Sequence, residues 1–87
     1  MKCIAKVANK VRLSDKTKRK AVEIMSDVMK EEISAGKDPM GLAASVIYLS
    51  SIENKDNVTQ SNIAEAAGIT EVTIRSRTKE LRKKNLI

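Results

Sequence analysis

Ile4, Val7, Ala8 and Val11 recur at i, i+3, i+4 and i+7, the spacing that lines one face of an α-helix. The spacing predicts a short first helix ending near Arg12. Leu13-Ser14 breaks the pattern; Ser14 is a good N-cap, and Asp15 follows in the first turn, where an anion is favoured. A longer second helix is predicted from there, with Ala21, Ile24, Met25, Val28 and Met29 facing inward. Gly36-Lys37-Asp38-Pro39 closes it and opens the next, with Asp38 as cap and Pro39 at the first helical position, where its missing N–H costs nothing.

The third segment, MGLAASVIYLSSI, is apolar on nearly every side. A helix of that kind is buried all round, so it should form the centre of the domain, with Val46, Ile47 and Leu49 among its most buried residues. Gly41, Ala43, Ala44 and Ser45 keep it thin enough for close neighbours. Tyr48, the only aromatic residue, is expected to be buried with its hydroxyl satisfied. Glu53 to Val58 read as a polar loop. Thr59 then caps a fourth helix and Thr70 a fifth. The expectation is an all-α fold of five helices.

The last third has the spacing of a helix-turn-helix, spanning about residues 59–84. A helix from about Gln60 to Ala67 is followed by a tight turn at Gly68-Ile69. Ala64 is small where the helices cross, Gly68 supplies a positive φ, and Ile69 and Ile74 fill the angle between them. At about 100° per residue, Ile74, Thr78 and Leu81 share the core side of the fifth helix. Val72, Arg75, Ser76, Lys79 and Lys83 share the outer side.

An ordinary solvated helix can also be basic on its outside. Val72, one turn before Arg75, favours a base-reading helix. An arginine fork suits guanine, and a valine methyl suits the thymine methyl. The candidate DNA-contacting residues are Val72 and Arg75, with Thr70, Thr73, Ser76, Lys79 and Lys83 around them.

Composition narrows the alternatives. The 87 residues suit one domain, 1–87, and 41% apolar content with no Trp or Phe makes its core aliphatic. No histidine and a single cysteine, Cys3, exclude an internal disulfide, a Ser-His or Cys-His catalytic pair and a multi-cysteine zinc site. Neither a membrane-length apolar run nor a signal-peptide pattern is present. The chain is expected to be an intracellular, monomeric non-enzyme with no cofactor or metal.

The net charge of +6 is uneven. Residues 1–35 carry nine Lys/Arg against five Asp/Glu, residues 36–69 two against four, and residues 70–87 six against two. Basic ends imply a polyanionic partner. Lys16, Lys18, Arg19 and Lys20 crowd the start of the second helix, which its dipole disfavours. Phosphate contact and a plain solvated turn are both open there.

The stretches GKDPMGLAASVIYLSS and TQSNIAEAAGITEVTIRSRTKEL resemble the second cyclin-like repeat of the transcription factor IIB family, most closely its archaeal form, transcription factor B. The resemblance runs from Ile4 to Leu81. It implies a five-helix cyclin-like fold and a general transcription initiation factor that reads the B recognition element upstream of the TATA box. It also implies promoter DNA, the TATA-binding protein and RNA polymerase as partners, and a cytoplasmic location if archaeal or nuclear if eukaryotic. The family's base-reading valine and arginine fall on Val72 and Arg75. Two departures are visible: Thr78 stands where the family commonly has tyrosine, and the zinc ribbon, linker and first repeat are absent. The chain is therefore expected to be an excised piece, with Met1 an artificial start. A cyclin-fold module that docks on proteins, and a dimeric regulator, are the rival readings.

Overall fold

The computed structural model describes residues 2–30, 39–56 and 58–83. Five α-helices make up its regular structure: α1 (Lys2–Val11), α2 (Asp15–Lys30), α3 (Pro39–Glu53), α4 (Gln60–Ala67) and α5 (Glu71–Lys83). The five-helix, all-α expectation holds. α1 stops one residue short of the expected end, because Arg12 turns the chain at φ 57°. Pro39 is the first residue of α3, as expected; Asp38 and the rest of the preceding turn lie outside the described residues.

α3 is the axis of the domain, and every other helix packs on it. Leu42, Ala43, Ala44, Val46 and Ile47 are fully buried, and Leu49 nearly so. Its buried serines do not waste polar atoms. Ser50 Oγ donates to the Val46 carbonyl at 2.8 Å and Ser51 Oγ to the Tyr48 carbonyl at 2.7 Å, the back-bonding that lets short hydroxyls sit inside a helix. Ile4, Val7, Ala8, Ala21, Ile24, Met25, Val28, Ile63, Ile74 and Leu81 close around this axis.

Two core expectations need correction. Met29 is 54% exposed; it lies one position past the stripe formed by Ala21, Ile24, Met25 and Val28, on the flank that turns away from α3. Tyr48 is half-buried rather than buried, because the side of α3 that carries it lies open near α5. Cys3 lies where side chains are not described.

The loop after α3 does more than connect. Asp56 reaches back 42 positions to the start of α2, where its Oδ2 accepts from the Ser14 amide at 3.3 Å and the Ser14 hydroxyl at 3.2 Å. Ser14 meanwhile caps α2, its Oγ accepting from the Thr17 amide at 3.3 Å. The Thr17 hydroxyl above all holds the Asp56 carboxyl below its ordinary value of 3.8; burial opposes it, and the Ser14 amide and hydroxyl add to the lowering. A carboxyl with a depressed folded-state pKa stabilises the fold above its unfolded value, and that contribution is lost as pH falls through the folded one. Unfolding free energy should therefore fall as pH drops below about 3.8. Asp56→Asn should flatten that part of the stability profile, as denaturant titrations across pH 2–6 would measure.

Of the four cations at the start of α2, two have partners among the described residues. Lys18 Nζ donates to Asn9 Oδ1 at 3.4 Å, and Lys20 Nζ lies 3.9 Å from Glu53. Lys16 and Arg19 are exposed.

Candidate nucleic-acid interface

Local rules build the helix-turn-helix residue by residue. Thr59 sits in extended conformation and its side chain accepts from the Asn62 amide at 3.1 Å, starting α4. Gly68 ends α4 at φ 71°, ψ 33°. Its amide donates to the Glu65 carbonyl at 3.3 Å and the Ile69 amide to the Ala64 carbonyl at 3.0 Å, the paired bonds of a Schellman motif. Thr70 starts α5, accepting from the Thr73 amide at 3.3 Å. Caps at Thr59 and Thr70 and the left-handed Gly68 are thus where the sequence put them.

α5 is seated on α3 by Ile74, Thr78 and Leu81, all buried. Ser45 adds a polar tie, its hydroxyl shared between the Gly41 carbonyl at 2.9 Å and the Ile74 carbonyl at 3.2 Å. Ala64, 5% exposed, allows the close crossing of α4, and Ile69 is half-buried in the angle.

The outer face of α5 carries the candidate residues. Val72 is 62% exposed, more than any other large apolar side chain among the described residues. Arg75, Ser76, Lys79 and Lys83 are also exposed. Among the described residues none of Arg75, Lys79, Arg82 and Lys83 has an ion-pair partner, whereas Arg77, on the flank, is held by Glu80 at 3.0 Å. These four cations therefore gather on one side, away from Arg77. Thr70 and Thr73 lie at the N-terminal end of this face, but their hydroxyls are 3.1 Å apart and bond each other, so their first role is to cap the helix.

Sequence reasoning missed part of this surface. A hollow of about 520 Å³ opens beside α5, lined by Tyr48, Gln60, Val72, Arg75, Ser76, Thr78, Lys79 and Arg82. Gln60 is the first residue of α4 and Arg82 lies two turns beyond Arg75. Arg82's wheel position, in line with Arg75, was a usable signal; Tyr48 and Gln60 come from other helices and had none.

Thr78 forms part of this wall. It is 7% exposed, and its hydroxyl has no hydrogen-bond partner among the described residues. A buried hydroxyl left unpaired costs about 1–3 kcal/mol. Thr78→Val, equal in shape without that hydroxyl, should raise the unfolding free energy by about 1 kcal/mol. Equal or lower stability in urea unfolding would show that the hydroxyl is satisfied.

Fold and site together define an all-α helical module with an exposed, basic second helix in a helix-turn-helix. Comparison with known proteins is more specific. The transcription factor TFIIB repeat matches residues 1–84. Transcription initiation factor IIB of Pyrobaculum islandicum is 48% identical over 80 residues, covering 92% of this chain and 24% of that protein. Transcription initiation factor IIB 1 of Thermoplasma volcanium is 44% identical over 81 residues, 93% of this chain and 26% of the relative. The factor IIB of Pyrococcus furiosus is 41% identical over 78 residues, again 26% of its length. The chain belongs to the transcription factor TFIIB repeat family, whose repeat is a cyclin-like helical fold, and that family is one of transcription factors rather than enzymes. It spans about a quarter of the length of the curated relatives it matches.

Proposed function

We propose that residues 1–87 form one cyclin-like repeat, the second, of a general transcription initiation factor, and that α5 reads promoter DNA in the major groove at the B recognition element. Val72 and Arg75 read base edges; Thr70, Thr73, Ser76, Lys79 and Lys83 orient the helix and meet the backbone. The observation that carries this reading is the exposed Val72 beside a row of cations without ion-pair partners among the described residues, on the second helix of a helix-turn-helix. Family membership supports the role in initiation, with the TATA-binding protein and RNA polymerase as partners of the whole factor.

A single module with few phosphate contacts should bind duplex DNA alone with Kd on the order of 10⁻⁴–10⁻⁶ M at physiological salt, and tight promoter binding would need linkage to a second binding module. Lys83→Ala, far from the base-reading end, should weaken matched and scrambled sites alike and lower the salt slope by about one unit. Fluorescence anisotropy over a salt series checks both. A loss confined to the matched site would mean that Lys83 takes part in base reading.

One observation favours a second reading, docking on a protein. Val22 and Met29, seven residues apart on α2, are 42% and 54% exposed and lie on one flank of that helix. Capture of the TATA-binding protein without DNA, abolished by Val22→Ser with Met29→Ser, would support it. Salt-sensitive retention on promoter DNA, unaffected by that pair, supports the DNA reading.

A further inference from the structure

The hollow beside α5 has a chemistry of its own. Its lining includes three cations, Arg75, Lys79 and Arg82, and no carboxylate. Besides Ser76 and Thr78 on α5, two neutral side chains able to donate hydrogen bonds line it from other helices, Tyr48 from α3 and Gln60 from the first turn of α4. Both are half-buried, so their stems are fixed by packing while part of each remains accessible. Positive charge joined to directional donors suits an oxyanion, whose oxygens only accept. The hollow is also continuous with the reading face, since Val72 and Arg75 line both. Arg82 stands about 10 Å beyond Arg75 along the helix axis, far enough to leave the base edges and meet a strand.

Resting on the reading of α5 as the base-reading helix, we propose that this hollow seats one phosphodiester of the DNA strand flanking the groove. Arg82 supplies the charge, and the Tyr48 hydroxyl and the Gln60 amide supply the directional bonds. The first helix of a helix-turn-helix crosses the DNA backbone, and Gln60 begins that helix. Tyr48 extends the contact to α3, outside the helix-turn-helix. The central helix thus becomes part of the anchor as well as of the core. Such an anchor carries no sequence information; it fixes the depth and register at which Val72 and Arg75 meet the bases.

The test measures this 87-residue chain by fluorescence anisotropy at low salt. Its duplexes are matched, scrambled and a series of matched duplexes in which one phosphate at a time is a neutral methylphosphonate. Tyr48→Phe keeps the ring and removes only the hydroxyl; thermal melts confirm that each variant folds. Tyr48→Phe should weaken binding about tenfold on both sequences, the scale of a hydrogen bond to a charged group, and leave the salt slope unchanged. Arg82→Ala should weaken both sequences and lower the slope by about one unit. One methylphosphonate position should reproduce these losses, and on that duplex Tyr48→Phe should cost nothing more.

The proposal is overturned if the parent binds, Arg75→Ala flattens its sequence preference, and yet Tyr48→Phe binds DNA as the parent does. Losses for Tyr48→Phe and Arg82→Ala that add fully to every methylphosphonate would overturn it equally. Unchanged DNA affinity with lost capture of an acidic protein partner would assign the hollow to protein instead. A parent with no affinity for DNA even at low salt would remove the reading of α5 itself, and the phosphate seat with it.

Discussion

Ile74→Ala should cost about 2–5 kcal/mol of folding stability. Ile74 is fully buried, and its carbonyl shares the Ser45 hydroxyl at 3.2 Å, so it sits where α5 meets the axis of the domain. Truncation removes buried methyl groups and leaves a cavity between α5 and α3, which Ser45 already ties together. A domain of this size commands about 4–13 kcal/mol in all, at 0.05–0.15 kcal/mol per residue. The loss is therefore a large share of the total. A chemical denaturation curve with unchanged slope and a much lower midpoint is the expected result. A shift below about 0.5 kcal/mol would mean that α5 does not depend on this contact.

Arg75→Ala should cost about 1–3 kcal/mol on a preferred DNA site and level the difference between matched and scrambled sites. The side chain is exposed, without an ion-pair partner among the described residues, and one turn after the exposed Val72. Replacing it should leave stability within about 0.5 kcal/mol of the parent, because it packs against nothing in the core. Binding affinity and unfolding, measured on the same variant, separate the two effects. Equal losses on both DNAs would reduce Arg75 to an anchor.

Much of this was legible in the sequence wherever the governing interaction is local. A cap needs one hydroxyl and an amide three residues on, so Thr59 and Thr70 could be read from the string. Gly68 could be read because few other residues accept a left-handed helix end. The outer face of α5 followed from spacing alone, since Ile74, Thr78 and Leu81 fix which side is buried.

What was not legible depended on distant chain. α3 is apolar all round, so no periodicity could say which flank would lie open. That flank carries Tyr48 and Ile52, four residues apart; the first is half-buried and the second 47% exposed. The hollow beside α5 and the phenol within it were invisible for the same reason. Asp56 looked like one more loop carboxylate, because nothing local announces a partner 42 positions away. Met29 extended a genuine stripe by one step too far round the helix, onto the exposed flank it shares with Val22.

Contact between DNA and the outer face of α5 is open to direct measurement. Amide chemical shifts of the isotope-labelled chain, followed while duplex carrying the upstream element is added at low salt, test it residue by residue. The largest changes should fall at Val72, Arg75 and Ser76, with smaller ones toward Lys83 and little along the outer face of α2 around Val22 and Met29. An α5 whose amides do not move, while those around Val22 and Met29 do, would contradict it.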